Sequence, residues 1–101
     1  MIIFPNSIRE LACLPFSDAV NALSLAANTA ETLAIPSGAR FVVFSGTADF
    51  YVKSGSVATV PGDTTDGSAA ELNPTMRSLN DVSSLSIISA STCVVTASFF
   101  K

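Results

Sequence analysis

The stretch Ile35–Val52, IPSGARFVVFSGTADFYV, decides the fold class of this 101-residue chain. Pro36-Ser37-Gly38 has the composition of a turn, because proline presets φ and glycine accepts a positive φ. Large apolar residues follow in two runs, Phe41–Phe44 and Phe50–Val52, divided by a short polar break. Strands of a small β protein usually have one polar face, whereas these are apolar on both. Each strand therefore needs a cover on both of its sides.

The chain from about Ala22 onward also has the pattern of short strands separated by turns. We predict a hairpin across Gly46-Thr47-Ala48 and a long polar loop over Pro61–Thr75. The pattern predicts an all-β fold, either an antiparallel β-sandwich or a small jelly-roll-like barrel of about seven to nine short strands. The predicted strands are Ala22–Ala26, Thr29–Ile35, Arg40–Ser45, Asp49–Lys53, Val57–Val60, Met76–Leu79, Ser84–Ser89 and Thr92–Phe100. In the last two, the alternation predicts that Leu85 and Ile87 face inward and that Cys93, Val95, Ala97 and Phe99 lie on one side.

The first residues differ in character from the rest of the chain. We predict an N-terminal arm over residues 1–20, extended or with a short helix, followed by a β-sandwich domain over residues 21–101. Ser7 and Glu10 have the spacing of a helix-capping box, and Pro15 would end a helix there. The arm lacks the basic start and uninterrupted apolar core of a secretory signal, so we expect a chain without one.

Composition favours a protein that is part of an assembly. Hydrophobic residues make up 49% of the chain and charged residues only 13%, so a monomer would expose an apolar patch, which usually marks an interface. The net charge is −3 and the five basic residues are scattered, which argues against nucleic-acid and membrane-surface partners. No apolar run is long enough to span a membrane, and we expect Cys13 and Cys93 to be reduced.

The residue types needed for common catalytic chemistry are missing from the sequence. There is no histidine, which removes Ser-His-Asp and Cys-His catalysis and the commonest zinc ligand. Asp63, Asp66 and Glu71 suggest calcium, but their spacing does not fit a calcium loop, and we interpret them as turn residues. We therefore expect no enzyme activity, no catalytic residue, no cofactor and no metal.

Arg77 lies among apolar residues, and its guanidinium is predicted to pair with Glu71 or Asp66. Such a pair either only stabilises the loop or also holds it for docking by a neighbouring chain. The full set of predicted interface residues is Ile2, Ile3, Phe4, Leu11, Leu14, Phe16, Val42, Phe44, Tyr51, Glu71, Arg77 and Phe100.

On the two apolar strands, one of two alternating sets is expected to be buried only when the arm or a neighbouring subunit covers it. These sets are Val42, Phe44 and Tyr51, or Phe41, Val43 and Phe50.

Residues 22–101 resemble small structural proteins encoded by tailed bacteriophages. The likeness lies in a pattern of turns and strands at Asn28–Thr32, Pro36–Val42, Asp49–Val52, Asp63–Pro74 and Val95–Phe99. The resemblance implies a virion component made in the bacterial cytoplasm. It implies a capsid decoration, or cement, protein that binds the outside of a phage head and stabilises contacts between coat subunits. Its expected partners are the major capsid protein and its own copies, as a trimer or a dimer.

Two other functions remain open from the sequence. A head–tail connector or fibre-base protein of the virion would have the same general pattern. A glycan-binding β-sandwich module would need an aromatic platform, for which only Tyr51 and Phe50 are candidates.

Overall fold

The computed structural model describes residues 16–80 and 82–101. Within them the chain forms eight β-strands and no helix, which confirms the all-β prediction and the predicted number of strands. Most of the predicted arm lies outside the described residues, including its interface candidates Ile2, Ile3, Phe4, Leu11 and Leu14, and so does Cys13.

The strands are short and cover the chain from Ala19 to Phe100. The first begins inside the range predicted for the arm. In chain order they are β1 (Ala19–Leu25), β2 (Glu31–Ala34), β3 (Phe41–Gly46), β4 (Tyr51–Ser54), β5 (Glu71–Leu72), β6 (Met76–Ser78), β7 (Ser84–Ile88) and β8 (Cys93–Phe100).

The eight strands form two four-stranded antiparallel sheets. Sheet A has the order β1-β8-β3-β6, and sheet B has the order β2-β7-β4-β5. The first strand pairs with the last, the second with the seventh, the third with the sixth and the fourth with the fifth. The chain is therefore arranged like one long hairpin that has been rolled up, with its tip between β4 and β5.

One hydrophobic core takes side chains from both sheets. The alternation predicted for the last strand is confirmed, because Cys93, Val95, Ala97 and Phe99 are all buried in this core. Sheet A also contributes Leu25, Val42 and Phe44, and sheet B contributes Leu33, Val52, Leu85 and Ile87.

The predicted hairpin between the third and fourth strands is wrong, because β3 belongs to sheet A and β4 to sheet B. The polar break between them crosses from one sheet to the other. The rings of Phe44 and Phe50 consequently meet inside the core, with centroids 6.1 Å apart. A hairpin would have placed both apolar strands side by side in one sheet, whereas this crossing lets their apolar faces pack against each other.

The segment Val57–Val60 was predicted to be a strand but is not one. It contacts the outer face of sheet B instead, where the amide of Ala58 donates a hydrogen bond to Ser86 Oγ at 2.9 Å. The predicted loop Pro61–Thr75 is not entirely irregular, since its end contains the short strand β5. Apolar alternation over four residues indicates contact with a neighbouring surface and does not specify a ladder of backbone hydrogen bonds.

Candidate interaction surface

The outward side chains of sheet A follow from the strand register, because opposite residues of an antiparallel pair share a face. We call this surface face A. It contains Val20, Ala22 and Ser24 of β1, Val94, Thr96, Ser98 and Phe100 of β8, Phe41, Val43 and Ser45 of β3, and Met76 and Ser78 of β6.

Face A carries no charged side chain on any of its four strands. Three of its large apolar residues are strongly exposed: Val20 is 58% exposed, Met76 45% and Val94 40%. Isolated exposed apolar residues are common on protein surfaces, whereas contiguous apolar patches are typical of interaction sites, so face A is the candidate interaction surface.

The apolar side chains of face A are concentrated toward one end of the sheet. The register places Val20, Ser98, Val43 and Met76 in one row across all four strands. In the adjacent row Phe41 stacks on Phe100, with ring centroids 5.2 Å apart and planes inclined by 12°. The other end of the face carries mainly small side chains and hydroxyls, so the face has an apolar half and a weakly polar half.

Charged groups lie just beyond the apolar end of face A. The Lys101 amide donates to Asp18 Oδ2 at 2.8 Å, and the Asp18 amide donates to the Phe99 carbonyl at 2.9 Å. The amide of Arg40, next to the first residue of β3, donates to the Phe100 carbonyl at 2.7 Å. These contacts of backbone amides fix the strand ends. The charged residues Asp18, Arg40 and Lys101 thereby form a rim beside the uncharged surface.

The outer face of sheet B differs from face A, because a segment of the same chain covers part of it. Ala58 is only 1% exposed where it contacts Ser86, and Ser86 is buried as well. Ile88, which also alternates with the core residues of β7, is buried too. Among residues 16–80 and 82–101, by contrast, Val20, Met76 and Val94 of face A stay uncovered.

An ion pair links the edges of the two sheets on the side where β5 and β6 lie. Arg77 Nη2 is 3.0 Å from Glu71 Oε2, and Arg77 Nε donates to both carboxylate oxygens at 3.2 and 3.3 Å. The predicted pairing of Arg77 is thereby confirmed with Glu71 as its partner. The hydrogen bonds lower the pKa of the Glu71 carboxyl and raise the pKa of Arg77. A cavity of about 140 Å³, lined in part by this pair, opens into the core at the same place.

The remaining interface candidates fall into three different environments. Val42 and Phe44 are buried in the core, where sheet B already covers them within a single chain. Tyr51 is half-buried on the outer face of sheet B, and Phe16 is fully exposed before β1. Among the predicted interface residues, Phe100 lies on face A, where its side chain is buried and its ring stacks on that of Phe41.

The two alternating sets predicted for the apolar strands do not keep their membership in the structure. Phe41 and Val43 lie half-buried on face A, while Phe50 lies in the core with Val42 and Phe44. The predicted sets presuppose that β3 and β4 are neighbours in one sheet. Because the two strands lie in different sheets, Val42 and Phe44 fill the core from one side and Phe50 and Val52 fill it from the other.

The exposed residues of face A were missed by sequence reasoning, although a signal for them exists. Neither Ala19–Leu25 nor Cys93–Phe100 contains a charged residue on either of its two faces. A surface strand normally carries charged residues on its solvent-exposed face, so this pattern in two paired strands indicates a contact surface.

The acidic residues Asp66 and Glu71 of the long loop each have partners within the chain. Asp66 Oδ1 accepts hydrogen bonds from the Ser68 hydroxyl at 2.6 Å and from the Ser68 amide at 3.1 Å, and these bonds lower the pKa of Asp66. Glu71 is engaged by Arg77. In the described part of the chain, no three metal-ligating residues lie together as a metal site.

An open groove of about 510 Å³ runs along sheet B and is lined mainly by small residues. Among the described residues that line it there is no aromatic side chain. Of the two aromatic residues considered for glycan stacking, Phe50 is buried in the core and only Tyr51 is accessible.

The thiol of Cys93 is free and buried, with its sulfur 3.5 Å from the Ala48 carbonyl.

The search for spanning helices finds none over residues 16–80 and 82–101 that is long and apolar enough to cross a membrane. Comparisons of this chain with protein-family models, with curated proteins and with solved structures give no significant match.

Proposed function

We propose that this protein is a structural component that works through assembly contacts, with face A as a principal contact surface. The observation that carries the proposal is the contrast between the two outer faces. The chain covers part of the outer face of sheet B with its own segment, although Leu72 on that face is 53% exposed, whereas face A is uncharged and exposes Val20, Met76 and Val94. The absence of histidine from the 101-residue sequence also favours a structural role over acid–base or nucleophilic catalysis.

We also propose that the fold is a jelly roll, the finer of the architectures expected from the sequence. The strand orders β1-β8-β3-β6 and β2-β7-β4-β5 support it, since they are those of a rolled double hairpin divided between two sheets. Jelly rolls occur in viral capsid proteins, in lectins and in cupins. The fold is therefore compatible with a virion protein but does not select that function by itself.

The specific role proposed is that of a capsid decoration protein on the outside of a phage head, where it stabilises contacts between coat subunits. Three features support it: the resemblance of residues 22–101 to phage structural proteins, the uncharged face A, and the Glu71–Arg77 pair that links the two sheet edges. Such a protein needs several modest contacts in place of an active site, because many copies on one shell add their affinities. A head–tail connector role remains the alternative.

Electron microscopy of particles of the phage that encodes this chain tests the proposal directly. We expect density for the jelly roll at many symmetry-related positions on the head, in contact with the major capsid protein. Density at the unique tail vertex alone would favour the connector, and a particle without this chain would refute both virion roles.

A second test concerns the predicted arm. Deleting Met1–Phe16 is expected to abolish particle binding while circular dichroism still reports a folded β protein. Full occupancy of particles by the shortened chain would show that the arm has no part in binding.

A further inference from the structure

We propose that face A is covered by face A of a second copy of the chain, which makes the protein a two-fold symmetric dimer. This inference deepens the proposed function and shares its premise that face A is a contact surface. It names the occupant of that surface, and it does not require a phage shell.

The charge distribution favours a second copy as the occupant. Two copies of a chain with net charge −3 repel each other, and the repulsion is smallest where the contact keeps their charged side chains apart. Face A is such a surface, because none of its outward side chains is charged and the nearest charged residues lie at its rim. A two-fold contact must also be complementary to itself, and an uncharged surface meets that condition without pairing opposite charges.

The shape of the face suits the packing of one sheet on another. Stacked sheets lie about 10 Å apart and interdigitate side chains of medium size. The row Val20, Ser98, Val43 and Met76 and the adjacent Phe41–Phe100 stack provide such side chains on all four strands. The outward composition of sheet A thus resembles that of an inner face.

The area is that of a weak but specific dimer. The four strands β1, β8, β3 and β6 contain 7, 8, 6 and 3 residues, and at about 3.3 Å along and about 4.8 Å across a strand these 24 residues give a face of roughly 380 Å² in projection. Two copies would bury roughly 760 Å² of projected area in total, the size of a weak, transient interface. We therefore expect dimerisation that depends on concentration in the micromolar range and that becomes effective where many copies are held close together.

The test uses the full chain, free of particles, in analytical ultracentrifugation between about 1 µM and 1 mM, a range that brackets micromolar affinity. We expect the weight-average mass of the wild type to rise from 10.4 kDa toward twice that value. Val20→Lys and Met76→Lys each place a charge inside the proposed contact, one on each edge strand of the sheet. Each is expected to weaken dimerisation at least about tenfold, because two such charges would be buried without partners.

Val57→Lys is the matched control. Val57 is 70% exposed and receives the same substitution, but it lies in the segment beside sheet B, so the dimer should form as in the wild type. Circular dichroism verifies that all variants are folded, and the two face A variants give independent readings if one of them fails to fold.

Three results would overturn the proposal. These are a wild type that stays at 10.4 kDa at every concentration, a higher oligomer such as a trimer, or a dimer that Met76→Lys leaves intact. The last result would indicate edge pairing through β1, on the opposite side of the sheet from Met76. Particle binding is measured separately, so a dimer that does not bind particles would refute the decoration role without touching this inference.

Discussion

Single residues decide how the chain crosses between its two sheets. Gly46 ends β3, and a Cβ atom at this position would lie 2.6 Å from Cδ1 of Phe50. The glycine is therefore what allows the Phe50 ring to enter the core beside Phe44 immediately after the crossing. The role of Gly46 is steric, because the Phe50 ring occupies the space that a Cβ atom at this position would need.

We expect Gly46→Ala to destabilise the fold by about 1–3 kcal/mol, the usual cost of overpacking, because the Phe50 ring must move. Gly62→Ala is the control, since a Cβ at Gly62 meets no atom within 4 Å. Urea unfolding followed by circular dichroism measures both variants. Equal stabilities of the two would show that the Phe50 ring relaxes freely and that Gly46 does not guide the crossing.

The Glu71–Arg77 pair predicts a pH dependence with a definite sign. Its hydrogen bonds lower the pKa of folded Glu71 below the ordinary value of 4.5, so the pair stabilises the fold above that pH. The contribution is lost as the pH falls through the lowered pKa. Glu71→Gln should therefore be slightly less stable than the wild type at pH 7, and the difference should vanish in acid.

Thermal unfolding from pH 7 down to pH 3 measures this difference. Asp63→Asn, which removes another exposed carboxylate of the same loop, is the control for a general effect of net charge. The contribution is small because both side chains are about half exposed. A gap between wild type and Glu71→Gln that widened in acid would contradict the assignment.

At the scale of elements, the segment after β4 acts as a cover for sheet B. It is attached to β7 by one buried hydrogen bond, from the Ala58 amide to Ser86 Oγ. The two strands of the long apolar stretch thus receive their outer covers from different sources. The outer side of β4 has the chain's own segment close by, and the outer side of β3 belongs to face A.

We expect Ser86→Ala to destabilise the protein by about 1–3 kcal/mol, because the buried Ala58 amide loses its acceptor. Hydrogen exchange at Ala58 should become faster in this variant. Ser84→Ala, an exposed position two residues earlier on the same side of β7, should change neither quantity. Unchanged exchange at Ala58 after Ser86→Ala would show that packing alone holds the segment.

Sequence patterns predicted some elements well for physical reasons that are local. The alternation in β7 and β8 identified their core faces, because side chains of a strand alternate between two faces. Arg77 among apolar residues also predicted a carboxylate partner, Glu71 or Asp66, and the structure selects Glu71. These predictions needed no knowledge of which strands are neighbours.

The elements that were predicted wrongly depend on pairing over long distances. A short polar break between β3 and β4 reads as a hairpin loop, but it also spans the distance between two sheets. Likewise, Val57–Val60 has the composition of a strand and finds no ladder partner. The absence of charge in Ala19–Leu25 and Cys93–Phe100 is visible in the sequence, but the full extent of face A requires the register of four strands at once.

At the scale of the whole molecule, the pairing of the first strand with the last dominates the architecture. Ala19 is opposite Phe99, and β8 lies between β1 and β3 in the middle of its sheet. Sheet A therefore cannot be completed until the end of the chain is in place. Both sheets depend in this way on contacts between residues that are far apart in sequence.

Refolding should accordingly be slow for a chain of this size. We expect a main phase between milliseconds and seconds, as for other small all-β folds dominated by non-local contacts. Stopped-flow dilution from urea, followed by circular dichroism, measures the rate. It should be carried out at low micromolar concentration with Met76→Lys alongside, so that association does not contribute. A main phase well under a millisecond would imply that local contacts guide folding.

The tip of the rolled hairpin has a practical consequence for protein engineering. Every strand pair is closed around the connection from β4 to β5, so added length between Gly62 and Gly67 shifts no register. This stretch is exposed, and it connects two strands of sheet B. A foreign epitope inserted there would interrupt no strand of face A. Two copies joined at face A would then carry two copies of the epitope, as a bivalent display scaffold.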